Sequence, residues 1–332
     1  MVYHDRNISN TFGLEAVAAT YIEYGSVEEL RCDLPQAVKP FLHVGGGSNL
    51  LFSQPRFEGT VFHNCNRSVD VIGRGDGYVL VRAGGGMVWD RFVAWCVGRG
   101  YYGAENLSLI PGEVGAAAVQ NIGAYGSEAK DIIEKVEAFD TESGTERTFV
   151  RDECRYGYRS SLFKSEEGKR YFVISVVFRL ATVRSLNLSY GALKDVDGGS
   201  ATLDDVRGAI VGIRRSKLPD PEEIGSAGSF FMNPVVPAEK YEALAAEYPD
   251  MPHYPAADGF VKLSAGWMIE RCGLKGITRG RAGVYEKQAL VLVNRGGATA
   301  QEVMVLAEEV IETVEKKFGV TLHPEAQIIK NG

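Results

Sequence analysis

Short apolar runs, some alternating with polar residues and some unbroken, recur along this chain between glycine pairs and triplets. Runs of this length bounded by turn residues predict strands. They fall at FLHV (41–44), GTVFHN (59–64), YVLVRAG (78–84), KVEAFDT (135–141), RYFVISVVFRL (170–180) and LVLVN (290–294). Helical spacing is rarer. VWDRFVAWCVGRG (88–100) places apolar residues at helical intervals and stops at glycine. TAQEVMVLAEEVIETVEKKFG (299–319) keeps the pattern for about five turns, behind a capping box of Thr299 and Glu302. Two further helices are predicted, one within 207–225 that ends at Pro219 and one at 241–255 stopped by prolines. The sum is an α+β protein with a domain boundary near 219.

Composition narrows the function without naming it. The chain has 332 residues, 45% hydrophobic and 24% charged, with a net charge of -7. That balance argues against a nucleic-acid or anionic-membrane partner, because both need a basic surface. Five scattered cysteines without a CxxC pair read as reduced thiols, with no metal centre expected from spacing. The first twenty residues lack the apolar core of a leader, and no stretch approaches eighteen apolar residues, so a cytoplasmic protein is expected.

Two glycine-rich stretches carry candidate chemistry. HVGGGSNLLF (43–52) follows a strand; three successive glycines can expose N–H groups to an anion, and Ser48 and Asn49 add polar groups. A glycine-rich hairpin is the other reading. ENLSLIPGEVGAAAVQNIGAYGSEA (105–129) is nearly bare of large side chains from Gly112 to Gly126, as suits a loop pressed against a planar ligand or a tight internal crossing. GRGDGY (73–78) has Tyr78 where a dinucleotide fingerprint needs its third glycine, which disfavours a Rossmann domain.

SAGSFFMNP (226–234) poses a different question. A nucleophilic serine needs a base and usually a GxSxG elbow, but the second residue after Ser229 is Phe231. Hydrolase chemistry is disfavoured, and a loop serine bonded to its own backbone is the plain alternative.

VGGGSNLLF, NLSLIPGEVGAAAVQNIGAYG, YGYRSSLFK, SYGAL, RRSKLPDP, AGSFFMNPVV, SAGWMIERCGLKG and HPEAQII, in this order and spacing, resemble the UDP-N-acetylenolpyruvoylglucosamine reductases from Asn10 to Ile329. The resemblance implies a two-subdomain FAD-binding fold of the vanillyl-alcohol-oxidase (PCMH) type plus a C-terminal α+β substrate-binding domain. It divides the chain into 1–67 (with the tail 323–332), 68–218 and 219–322.

The same resemblance implies noncovalent FAD, with Gly45, Gly46, Gly47, Ser48 and Asn49 near the pyrophosphate. Pro111, Gly112, Gly115, Gln120, Asn121 and Gly123 would lie along the flavin. NADPH is the implied reductant, and the substrate is a UDP-sugar carrying an enolpyruvyl group. Ser229 becomes a proton donor, Arg159 the partner of the substrate carboxylate, and Glu325 a second acid or carboxylate holder. Tyr190, Lys217, Asn233 and Gln288 would hold the sugar nucleotide, with Tyr190 marking the type I branch. A monomer and potassium stimulation are also implied. Met232, where some relatives have lysine, and Glu113, inside the bare loop and expected at solvent or a ribityl hydroxyl, are departures. Rival readings are an oxidase on the same flavin fold and a sugar-nucleotide sensor without catalysis.

Overall fold

In the computed structural model, which describes residues 1–331, the chain forms two units. The first comprises residues 1–6, 17–46 and 58–214; the second comprises 7–16, 47–57 and 215–332.

The larger sheet of the first unit is antiparallel. Its strands run in the order Thr145–Val150, Ile133–Asp140, Tyr171–Ala181, Tyr78–Gly84, Val69–Gly75. The long run predicted at 170–180 is its central strand, because inward residues such as Val176, Phe178 and Leu180 are wholly buried. They pack with Trp89, Phe92 and Val93 from the helix Trp89–Val97, and with Val114 and Ala118 from the helix Val114–Gln120. GRGDGY is the turn of the hairpin between Val69–Gly75 and Tyr78–Gly84. A second sheet contains Val17–Tyr24 beside Arg56–Asn64, which pairs in parallel with Phe41–Val44. Phe62 of this sheet meets Phe172 of the larger one with ring centroids 4.9 Å apart.

The second unit gathers around the helix Ala300–Phe318. Val303, Leu306, Val310, Val314 and Phe318 form its buried stripe, which joins Phe12, Leu51, Phe230, Met268 and Leu292 in one core. Thr299 and Glu302 form the predicted capping box, and Gly319 ends the helix in left-handed conformation. Gln327–Ile329, close to the C-terminus, pairs in parallel with Leu50–Phe52. Among the described residues, no helix is long and apolar enough to cross a membrane.

The helix expected from 207 begins earlier, at Leu203, and ends at Lys217. Its start is set by Thr202, whose Oγ1 accepts the Asp205 N–H while Asp205 Oδ2 accepts the Thr202 N–H. The expected loop at 105–129 also contains a helix, Val114–Gln120. Alanine-rich VGAAAVQ favours a helix once Asn121 closes it with φ 47°.

Candidate functional site

The chain passes from the first unit to the second between Gly46 and Gly47. Gly47 has φ 67°, and a methyl group there would stand 2.1 Å from the Ser9 carbonyl oxygen, so the position admits glycine alone. On the first-unit side, a methyl group on Gly46 would stand 3.7 Å from the Gly112 Cα. The two glycine stretches therefore meet.

Several residues fix the second stretch. The Asp90 carboxylate accepts the Leu109 N–H at 2.5 Å and a two-pronged contact from Arg207 at 2.7 and 2.8 Å. Burial pushes the Asp90 carboxyl up, but the Arg207 fork and the Leu109 amide outweigh it and hold the group below its ordinary range. Arg214 Nε donates to the Leu109 carbonyl at 3.1 Å, just ahead of Pro111 and Gly112. The Gly115 N–H donates to the Gly85 carbonyl at 2.9 Å, an internal crossing of the kind left open by the sequence.

Asn121, expected along a flavin, is fully buried, and its side chain is engaged by protein groups. Its amide donates to the Gly157 carbonyl at 2.8 Å and its oxygen accepts the Lys130 N–H at 3.0 Å. Gln120 differs. Its oxygen accepts from Lys164 Nζ at 2.8 Å, while its Nε2 is buried without a hydrogen-bond partner. An orphaned buried donor at the end of the helix Val114–Gln120 fits a ligand rich in acceptors, as FAD is.

Arg159 stands in left-handed conformation, φ 52°, over the same loop. Its Nη2 donates to the Gly123 carbonyl at 2.6 Å and its Nη1 to the Asn121 carbonyl at 3.5 Å. A methyl group on Gly123 would lie 2.9 Å from that Nη1. Tyr190, exposed, meets Tyr125 edge-on with centroids 5.4 Å apart. Neither Lys164 nor Tyr125 was singled out by the sequence, although both lie inside motifs it showed.

In the second unit, half-buried Ser229 follows Gly228, φ 68°, and opens an extended segment. The Phe230 N–H donates to the Leu290 carbonyl, and its own carbonyl accepts the Glu325 N–H, both at 2.7 Å. Phe231 bridges Pro324, and the Met232 N–H reaches the His323 carbonyl at 2.9 Å. Ser229 thus immediately precedes the segment Phe230–Met232, which pairs with His323–Glu325. No helix follows until Ala238, so the turn is not a nucleophile elbow.

The remaining substrate candidates are dispersed. The Asn233 oxygen accepts the Ala265 N–H at 3.0 Å, at the start of the helix Ala265–Arg271. Gln288 accepts the Val291 N–H through its carbonyl and lies against Gly266. Lys217 is the exposed last residue of its helix. Glu113 does not face solvent: it is buried, and His63 Nε2 approaches both its oxygens, at 3.1 and 3.2 Å.

The fold and its two converging glycine stretches define an FAD-binding protein, and residues 22–149 match the family described as FAD binding domain. Residues 220–329 match the family described as UDP-N-acetylenolpyruvoylglucosamine reductase, C-terminal domain. The chain is 51% identical over 324 residues to the UDP-N-acetylenolpyruvoylglucosamine reductase of Bacteroides fragilis, covering 96% of this chain and 97% of that one. The corresponding enzyme of Porphyromonas gingivalis is 48% identical over 330 residues, 96% of each. The crystal structure of the Thermus caldophilus reductase shares the fold, with a TM-score of 0.66 and 23% identity over 97% of this chain and 96% of that one. This chain belongs to the UDP-N-acetylenolpyruvoylglucosamine reductase family, FAD-binding oxidoreductases of peptidoglycan precursor synthesis.

Proposed function

We propose that this chain reduces the enolpyruvyl group of UDP-N-acetylglucosamine enolpyruvate to yield UDP-N-acetylmuramate. The observation that carries the reading is the backbone pairing of the segment just after Ser229 with the Glu325 segment, in a chain whose glycine stretches meet at Gly46 and Gly112. FAD, when bound, would supply hydride-transfer chemistry between NADPH and the terminal alkene carbon of the substrate, where the new C–H bond forms.

The chain's own groups handle the proton and the charge. Reduction at the terminal carbon leaves an enolate-like centre beside the carboxylate. That centre is basic enough to take a proton from a hydroxyl, so Ser229 needs no histidine. Arg159, oriented by the Gly123 carbonyl, pairs the substrate carboxylate and stabilises the charge that grows on it. Glu325 holds the enolic carboxylate or supplies a proton. Lys217 faces the diphosphate, while Asn233 and Gln288 hold phosphate or sugar. Tyr190 closes over the uridine diphosphate, the type I arrangement. Residues 1–218 and the tail hold the flavin and residues 219–322 the sugar nucleotide. A monomer and potassium stimulation complete the reading.

The test is an anaerobic visible spectrum of the purified protein. NADPH should bleach a flavin band, and the enolpyruvyl substrate should restore it. A bleached flavin that this substrate cannot reoxidise would assign another acceptor, and a protein unable to take up FAD would overturn the reading.

A further inference from the structure

The strands Val17–Tyr24 and Arg56–Asn64, neighbours in one sheet, bring Glu23 beside His63 and Cys65. His63 Nδ1 lies 3.9 Å from Glu23 Oε1 and 3.8 Å from Cys65 Sγ. One ligand atom from each of the three residues falls within 4.8 Å of the others. Tetrahedral zinc with nitrogen, oxygen and sulfur ligands at about 2.0–2.3 Å requires ligand atoms roughly 3.3–3.7 Å apart. The three groups need close by only about 1 Å.

The other ring nitrogen of His63 strengthens the case. Nε2 faces the Glu113 carboxylate, which can only accept, so in the neutral ring the proton sits on Nε2 and the lone pair on Nδ1. That lone pair is on the side of Glu23 and Cys65. A carboxylate behind a histidine, fixing its tautomer and raising its basicity, is the usual outer shell of a metal-binding imidazole. The set is sheltered, with the side chains of His63, Glu23 and Glu113 exposed by 14%, 17% and 8%.

We propose that Glu23, His63 and Cys65 form a three-ligand site for a thiophilic divalent cation of the zinc class, with Glu113 as a positioning residue and a fourth position open. Arg6 is its competitor. Arg6 Nη2 donates to Glu23 Oε1 at 2.9 Å, and the guanidinium rests over the rings of Tyr3 and Tyr21 at 4.0 and 4.8 Å. Coordination frees Arg6 from Glu23 and leaves it on those two rings.

Cobalt(II) titration of the holoprotein tests this, because tetrahedral cobalt bands lie at longer wavelength than oxidised flavin. The exposed thiol of Cys32 is first removed by Cys32→Ser. One equivalent should give intense bands that zinc abolishes. Cys65→Ser, or His63→Asn should the first variant fail to fold, should eliminate them. Glu113→Gln should weaken binding by about 10–100-fold. Arg6→Gln should tighten it, which a merely structural arginine would not do. Absence of bands, bands that survive Cys65→Ser, or weaker binding in Arg6→Gln would overturn the site.

Discussion

The side-chain amide of Asn49 donates to the backbone carbonyl of Glu325 at 3.0 Å, and the Asn49 carbonyl accepts the Gln327 N–H at 2.9 Å. The end of the glycine triplet is thereby locked to the segment that carries Glu325. Asn49→Ala should lower stability by about 0.5–1.5 kcal/mol. Asn49→Asp should cost more, since a carboxylate then faces a carbonyl. Urea unfolding of the two variants measures both losses, and an Asn49→Ala protein as stable as the parent would show that the contact does not matter.

Gly123 and Arg159 form a second coupled pair. Gly123→Ala puts a methyl group 2.9 Å from Arg159 Nη1 and should displace the guanidinium by a fraction of an ångström. Misplacement of about 1 Å can lower turnover about 100-fold, so this smaller shift should cost less than that. Arg159→Lys should lower kcat/KM comparably, because an ammonium cannot make a planar two-pronged contact. Steady-state kinetics beside thermal unfolding separates lost orientation from lost fold.

Ser229→Ala should leave flavin reduction by NADPH unchanged and slow reoxidation by the enolpyruvyl substrate by about 100- to 10,000-fold. Anaerobic stopped-flow absorbance resolves the two halves. Equal reoxidation in both proteins would remove Ser229 from the proton-donor role.

His43 links stability to pH. Its ring stacks on Phe172, with centroids 4.5 Å apart, and its Nε2 meets the Tyr24 hydroxyl at 2.7 Å. Burial, helped by nearby His63, pulls its pKa down to about 3. The unfolded chain binds this proton below about pH 6.5 and the folded one does not. The contribution is therefore whole above that pH and is lost as pH falls toward 3, at up to about 1.4 kcal/mol per pH unit. His43→Phe should flatten this dependence in urea titrations between pH 4 and 7, whatever its effect on absolute stability.

Local patterns revealed local structure. The strand Tyr171–Ala181 and the capped helix Ala300–Phe318 are legible because each is long enough for its period to repeat. The helices Val27–Asp33, Val114–Gln120 and Ala265–Arg271 span seven residues each, too few for a period to emerge. Two of them were marked by caps: Ser26 accepts the Glu29 N–H and Ser264 the Trp267 N–H. In the glycine-rich stretch, the abundance of small residues concealed a helix that alanine favours.

By itself the sequence determined where the backbone is bare, where helices are capped, and which motifs follow one another, since each is a property of neighbouring residues. Tertiary structure alone decided that Asn49 reaches Glu325 across 276 positions, that Glu113 meets His63 across 50, and that Ser229 immediately precedes a segment paired with Glu325. Those meetings depend on strand register and on which sheet edge a segment joins. Burial of side chains far apart in the chain sets both, and no local pattern encodes them.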